Sequence, residues 1–369
     1  MVENYFVRLR IGKENLISNF NYFKSKLRPE TKMLILVKAN SYGHGAVEFL
    51  NAVGQENIDY LGVAHPTEGI ELRIKGIKTP ILVLTTGYDN FNDIIKYNLE
   101  PSIPTIYTLK ELNNTLIKKG LKDYPVHIKI DTGMHRLGFV EKEIPELLAF
   151  LASKECRIKV EGVFSHLAVA EDASQDNFTH LQLKKYEKIT DAIEKTVGYK
   201  FIKHILNTSG TERFPEYQFD MVRIGIGIYG INAVNSENLE LAAALECKII
   251  QIKELDTTDT VGYDRYGKIN RPSRIATIPL GYADGIDRCF GMGRASFEVN
   301  GKLAPTVGTI CMDMCMIDIT NIDAKVGDIV TIFGKNPTAV SLAKIRNTIP
   351  YEIFTSVSNR VPRVLDERI

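Results

Sequence analysis

The sequence predicts an α/β fold, a TIM-like (β/α)8 barrel of parallel strands followed by a mostly β domain. Eight short apolar runs fall before about residue 235, amphipathic stretches separate them, and the rhythm then changes to strand-like segments set off by Gly, Pro and Asn turns. The implied division is 1–240 for the barrel and 241–369 for the β domain. At about 100–200 residues per domain, a chain of this length holds two.

In order, the runs are MLILVKA from Met33, IDYLGVA from Ile58, PILVLTT from Pro80, EPSIPTI from Glu100, PVHIKID from Pro125, KVEGVFSH from Lys159, KHILNTS from Lys203 and MVRIGIG from Met221. Continuous rather than alternating apolar residues mark strands buried on both faces. Eight βα units suggest closure into a barrel; an open doubly wound sheet is compatible with the same count. TLKELNNTLIKKG ends in lysines and a glycine, a helix stop. FTHLQLKKYEKITDAIEKTVG sets Phe178, Leu181, Tyr186, Ile189 and Ile193 near one helical face. The second domain reads as the strands ECKIIQIKEL, RIATIPLGY, ASFEVNGKLAP, TICMDMCMIDI and DIVTIFG, with SLAKIRNTI helical.

Net charge is +1, which gives no broad field for nucleic acid or a membrane surface. No stretch of about 18 apolar residues predicts a transmembrane helix, and MVENYFVRLRIGKEN has no signal-peptide apolar core. A cytoplasmic protein is expected. Cys156, Cys247, Cys289, Cys311 and Cys315 are an odd, scattered set that fits free thiols. Cys311 and Cys315 lack the other ligands of a zinc site, so no metal is expected.

Barrel chemistry sits at the C-terminal ends of the strands. The first strand ends VKANSYGHG, delivering Lys38. A lysine in a barrel mouth is partly desolvated and suited to a Schiff base; a lysine at an isolated strand end more commonly snorkels to solvent. The fifth strand, KIDTGMHRLGF, delivers Lys129, Asp131 and Arg136; the sixth ends with His166. The seventh and eighth carry His204, Asn207, Thr208, Ser209, Arg223, Gly225, Ile226 and Gly227. Hydroxyls and glycine-exposed amides after strands seven and eight are a phosphate candidate. A phosphate here and an aldehyde at Lys38 describe pyridoxal phosphate.

VKANSYGHG, KIDTGMHRLG, NTSG, FDMVRIGI, VGYDRYG, GYADG, ICMDMCM and IPYE occur in this order. In these motifs the chain resembles the alanine racemase family over nearly its whole length. The resemblance implies that Lys38 holds the cofactor and serves as one proton-transfer base. Tyr263 is implied as the second base, supplied by the partner subunit of a homodimer that shares its active sites. It implies Arg223 at the pyridine nitrogen, supported by His204, and Tyr42, Thr208, Gly225, Ile226 and Tyr351 around the phosphate. His166 would lie against the ring, Arg136 beside the phenolic oxygen and substrate carboxylate, and Met312, from the other subunit, with its amide on that carboxylate. Lys129 matches a lysine carbamylated in some members, one that steadies the arginine at the position of Arg136. Thr208 stands where serine is common; Thr309 and Glu171 stand where some members have arginine and aspartate near the pocket mouth.

Racemisation removes a proton from one face of Cα and returns one to the other, which suits two opposed bases. As the family implies, Lys38 serves D-alanine and Tyr263 L-alanine. A tyrosine acts as a base only beside positive charge, with Arg136 and the Schiff-base nitrogen as candidate sources. Arg223 can only donate, so the pyridine nitrogen stays unprotonated and side reactions are discouraged. Tyr351, Tyr282 and Met312 would narrow the substrate pocket. The resemblance thus implies an alanine racemase that supplies D-alanine for peptidoglycan. A racemase of broader choice, such as for serine, is the alternative. A related decarboxylase fits Arg223 and Tyr263 poorly, and a non-catalytic cofactor-binding barrel would lack residues 241–369.

Overall fold

The structure, a computed structural model, describes residues 5–232, 234 and 239–369. The first strand, β1 (Val7–Gly12), precedes eight barrel strands. These are β2 (Lys32–Leu36), β3 (Tyr60–Val63), β4 (Ile81–Val83), β5 (Glu100–Ile103), β6 (Tyr124–Lys129), β7 (Ile158–Phe164), β8 (Ile202–His204) and β9 (Met221–Ile224). They pair in parallel in the order β8-β7-β6-β5-β4-β3-β2-β9. Asp220 N donates to Lys203 O (3.1 Å) and Arg223 N to Leu206 O (3.0 Å), so the two end strands meet and the ring is nearly closed. The apolar runs explain this geometry: Leu34, Ile35, Leu61, Val63, Ile81, Leu82 and Val83 are all fully buried, as both faces of a barrel strand require.

The helix Ile106–Lys119 starts at Thr105, whose hydroxyl accepts from Thr108 N, and stops at Gly120 in the left-handed region. The helix Asp176–Val197 buries Thr179, Leu183, Tyr186, Ile189 and Ile193. Leu181, expected on that face, is exposed. The buried stripe advances by three or four residues from Thr179 through Gln182 and Leu183, which leaves Leu181 pointing outward.

The second sheet contains β10 (Ala243–Lys248), β11 (Gln251–Leu255), β14 (Ser273–Ile278), β15 (Ser296–Val299), β16 (Lys302–Val307), β17 (Cys315–Asp318), β18 (Ile329–Phe333) and β19 (Arg363–Asp366); β12 (Thr260–Val261) and β13 (Gly267–Lys268) form a separate hairpin. The order is β11-β14-β17-β16-β15-β18-β10-β1-β19. Thus β1 belongs to this sheet, between β10 and β19, although a boundary at residue 240 would assign it to the barrel. Its arginines fix the join: Arg8 and Arg10 share Glu246 of β10 at 3.0 Å, and Arg10 also meets Asp366 of β19 at 2.6 Å.

ICMDMCM, expected as a strand throughout, is paired only from Cys315; residues 309–314 are a loop. Besides Ala339–Arg346, which covers part of SLAKIRNTI, a second helix, Pro350–Thr355, carries Tyr351. Among the described residues, no helix is long and apolar enough to cross a membrane, and no cluster of His, Cys, Asp or Glu could hold a metal ion.

Candidate active site

The stretch after β2 answers for its glycines and asparagine. Val37 N donates to Gly62 O of β3, the last barrel bond of that strand. The backbone then turns left-handed over four consecutive residues, Ala39 to Tyr42, with φ of 50 to 54°. Left-handed backbone costs about 1–2 kcal/mol per ordinary residue, so neighbours must hold it. Glu68 does so, taking Ala39 N on one oxygen (2.6 Å) and Ala64 N on the other (2.6 Å). Asn40 Oδ1 accepts from Ala46 N at 2.9 Å. Gly43 closes the turn, where a Cβ would lie 2.1 Å from Phe354 O. The turn leaves Lys38 half-buried at the barrel mouth and buries Tyr42 beneath it.

A cavity of about 410 Å³ opens there. Lys38, Lys129, Arg136, His166 and Arg223 line one part; Tyr42, Thr208, Gly225, Ile226 and Tyr351 line another. Lys129 O and Asp131 N both bond Phe139, so the loop after β6 doubles back and brings Arg136 over the mouth. The lining carries four cationic side chains and no carboxylate, an arrangement suited to an anionic ligand.

That crowding shapes the titration of the site. Burial, then the charge of Arg136, lowers the Lys38 amine from its ordinary value. Burial, Arg223 and Arg136 hold the Lys129 amine well below its own. Burial and Arg223 keep His166 neutral. Arg223 itself is pushed down to about 10 by burial.

Arg223 is tethered by both terminal nitrogens. Nη2 donates to Ser165 O (2.7 Å), Ile205 O (2.9 Å) and His166 Nδ1 (3.2 Å); Nη1 donates to His204 O (3.0 Å) and His204 Nδ1 (3.1 Å). His204 is fully buried behind it. On the opposite wall, Asn207 caps the helix Thr208–Arg213, and Thr208 Oγ1 accepts from Gly225 N at 3.0 Å. A Cβ on Gly225 would lie 2.7 Å from the Tyr42 hydroxyl.

Tyr263, Met312 and Tyr282 do not line this cavity; they are 69%, 54% and 43% exposed in the second domain. Two of them are locked together. Tyr282 N donates to Cys311 O and Ala283 N to Met312 O, both at 3.0 Å. Gly281 permits this approach, since a Cβ there would lie 2.3 Å from Cys311 O. Arg360 braces the loop from behind, bonding Asp284 and Asp313 at 2.7 Å each. Thr309 keeps a buried hydroxyl without a partner among the described residues. Glu171 is exposed and, after burial, helps raise the Tyr351 phenol from its ordinary value.

Residues 11–233 match the alanine racemase N-terminal domain and residues 242–365 the alanine racemase C-terminal domain. The chain belongs to the alanine racemase family. Among its relatives in that family, alanine racemase 2 of Caldanaerobacter subterraneus subsp. tengcongensis is 35% identical, over 97% of this chain and 94% of its own. Alanine racemase of Thermodesulfovibrio yellowstonii is 37% identical, over 97% of both. The alanine racemase structure from Clostridium difficile 630 superposes with a TM-score of 0.90 at 34% identity, covering 99% of this chain and 97% of that one. The Bartonella henselae alanine racemase structure, described as having covalently bound pyridoxal phosphate, gives 0.87 at 28% identity, covering 98% and 100%. The alanine racemase family depends on this cofactor, and the chain is an isomerase of that kind.

The residues present fit the cofactor. The cavity is cation-lined, a lysine whose amine is lowered from its ordinary value stands at its rim, and Gly225 leaves the space that a side chain would fill. The Nε–H of Arg223 is its one donor without a partner among the described residues. Gly225→Ala is therefore expected to displace the Tyr42 hydroxyl and weaken pyridoxal phosphate binding by about tenfold, roughly 1.4 kcal/mol, as titration of apoprotein with the cofactor would measure.

Sequence reasoning missed Glu68, which holds the lysine-bearing turn, and two residues behind Arg223, His127 and Glu100. The alternation in PVHIKID carried a signal for one of these: His127 shares a strand face with Lys129.

Proposed function

We propose that the chain interconverts L-alanine and D-alanine by two opposed bases and supplies D-alanine for peptidoglycan in the cytoplasm. One observation carries this reading. Lys38 rims a cation-lined cavity, while Tyr263, Met312 and Tyr282, outside that lining, stand exposed on the other domain. A homodimer that sets this surface of one subunit over the barrel mouth of its partner completes the site.

Pyridoxal phosphate, when bound, withdraws electrons from Cα and acidifies its proton. Thr208, Tyr42, Tyr351 and the amide of Ile226 would hold the phosphate end, and His166 would lie against the ring. Arg223 donates and cannot accept, so the ring nitrogen remains an acceptor. Arg136 holds the substrate carboxylate with the amide of Met312 from the partner. Lys38, with its lowered amine, carries the proton at one face of Cα; Tyr263 of the partner carries it at the other. Tyr282 and Tyr351 narrow the pocket around a methyl group.

The test is a chiral assay of the purified protein with L-alanine, L-serine and L-2-aminobutyrate. D-alanine formation at least about tenfold faster than the other D-products is expected, since a closed pocket discriminates roughly 10–200-fold per methylene. Faster serine turnover would replace alanine as the substrate; no D-product would overturn the reading. Size measurement in solution should return twice the 41.5 kDa chain mass.

Lys129 has a further role in this reading. A buried neutral amine adds to carbon dioxide, forming a carbamate and releasing a proton. The negative group would then sit between Arg136 and Arg223, the two cations that depress the amine. Intact mass under bicarbonate is expected to show the carbamate on the wild type and its absence in K129A, with a several-fold bicarbonate-dependent rise in activity only in the wild type.

A further inference from the structure

Behind Arg223 lies a polar chain that crosses the barrel interior. Arg223 Nη1 is 3.1 Å from His204 Nδ1, His204 Nε2 is 3.0 Å from His127 Nδ1, and His127 Nε2 is 2.9 Å from Glu100 Oε2. The ends fix its direction. A guanidinium cannot accept and a carboxylate cannot donate. His204 must therefore accept at Nδ1 and carry its proton on Nε2. His127 must likewise accept at Nδ1 and donate from Nε2. Both rings are 0% exposed, and neither has another ring hydrogen bond among the described residues.

The fold makes room for this chain. The pairing of β6 with β7 slips between Val126 and His127, an irregularity of the kind that re-aims a side chain. Gly162 of β7 underlies the His127 ring; a Cβ there would lie 2.3 Å from Nδ1. Phe164 stacks on His204 at 4.9 Å with the planes 9° apart, which holds that ring in one orientation. Among the described residues, Arg223 hydrogen-bonds no carboxylate: its partners are carbonyls and imidazoles. Glu100 is the carboxylate end of its network, reached through two imidazole rings.

We propose that His127 and Glu100 are positioning residues for Arg223: they hold His204 in the tautomer whose Nδ1 lone pair meets the guanidinium, leaving the Arg223 Nε–H as the donor for the cofactor ring. This rests on the cofactor and function assigned above. In the other tautomer two N–H groups would oppose each other, and Arg223 would have to move. His204 is the last partner of Arg223 that the sequence motifs name; the hydrogen-bonded chain extends the site across the barrel to β5.

The test uses protein loaded with pyridoxal phosphate and labelled with ¹⁵N at histidine. Long-range proton–nitrogen spectra of the wild type are expected to show His204 and His127 both protonated on Nε2. E100Q retains a hydrogen bond but removes the end condition, because an amide both donates and accepts; mixed tautomers are expected. H127Q keeps an acceptor toward His204 and a donor toward Glu100, so it should hold His204 on Nε2 and keep kcat within about threefold. H127L keeps neither, and kcat should fall by about 10–100-fold, the usual loss when the partner that orients a ligand is removed, with KM for alanine changed less than about threefold. His204 protonated on Nδ1 in the wild type, or equal kcat in H127L and H127Q, would overturn the proposal. Should H127L fail to fold, the wild-type tautomer and the E100Q mixture still decide it. A wild type that makes no D-alanine overturns the functional reading alone; one that racemises with His204 on Nδ1 overturns only this inference.

Discussion

Lys38→Ala is expected to abolish the visible absorbance of bound cofactor on gel filtration and to lower D-alanine formation by at least about 10³-fold. The size of this effect follows from a double role: the amine both anchors the cofactor and serves as a base on one face of Cα. Few substitutes exist nearby. Lys129 lines the same cavity but is confined deep in the barrel, 4.3 Å over the Phe164 ring. A soluble small amine should restore part of the activity if only the amine is missing. The left-handed turn needs only the backbone at position 38, so circular dichroism and the melting temperature should stay close to wild type. A retained cofactor band in K38A would reject this assignment of the lysine.

Tyr263→Phe is expected to lower racemisation by about 10²–10⁴-fold, the usual worth of a positioned acid or base, while cofactor absorbance stays normal. Racemisation must fall equally in both directions, because the enantiomers have equal free energy, but the loss of Cα exchange should be lopsided. In deuterated water, exchange at Cα of D-alanine should persist through Lys38, and exchange from L-alanine should vanish. Equal loss of exchange from the two enantiomers would show that Tyr263 packs rather than transfers protons. The same variant reports where the tyrosine acts. Mixed with K38A and allowed to exchange subunits, two inactive proteins should recover about a quarter of wild-type activity, because half the dimers are hybrids with one intact site each. No recovery would mean that lysine and tyrosine of one subunit serve each other.

Barrel strands such as β2, β3 and β4 were legible because their cores are unbroken apolar runs, and burial on both faces demands that pattern. Lys38 was legible because the run stops at a charge. Other features depend on partners far along the chain. ICMDMCM alternates, yet only its last part pairs; the rest is a loop braced through Gly281 and Arg360, contacts that alternation cannot encode. The membership of β1 is fixed by pairing Val7 with Cys247 and Leu9 with Arg363, and no local pattern names those partners. The chain from His127 to Glu100 was invisible for a related reason. Glutamate at the start of a strand is ordinary; it gains meaning only when the next strand brings an imidazole to 2.9 Å. Leu181 shows the opposite failure, an apolar residue near the right period that the helix turns to solvent.

The placement of β1 constrains how the chain is born. During synthesis this strand leaves the ribosome before all others in the described fold, yet both its neighbours emerge more than 230 residues later. All eight strands of the barrel can assemble while β1 waits with both edges bare. Such an edge is an invitation to wrong partners. Its alternating arginines, Arg8 and Arg10, keep one face charged until Glu246 and Asp366 arrive. The ion pairs that fasten the finished sheet therefore double as a guard during translation, and completion of the sheet ties the earliest segment to the last.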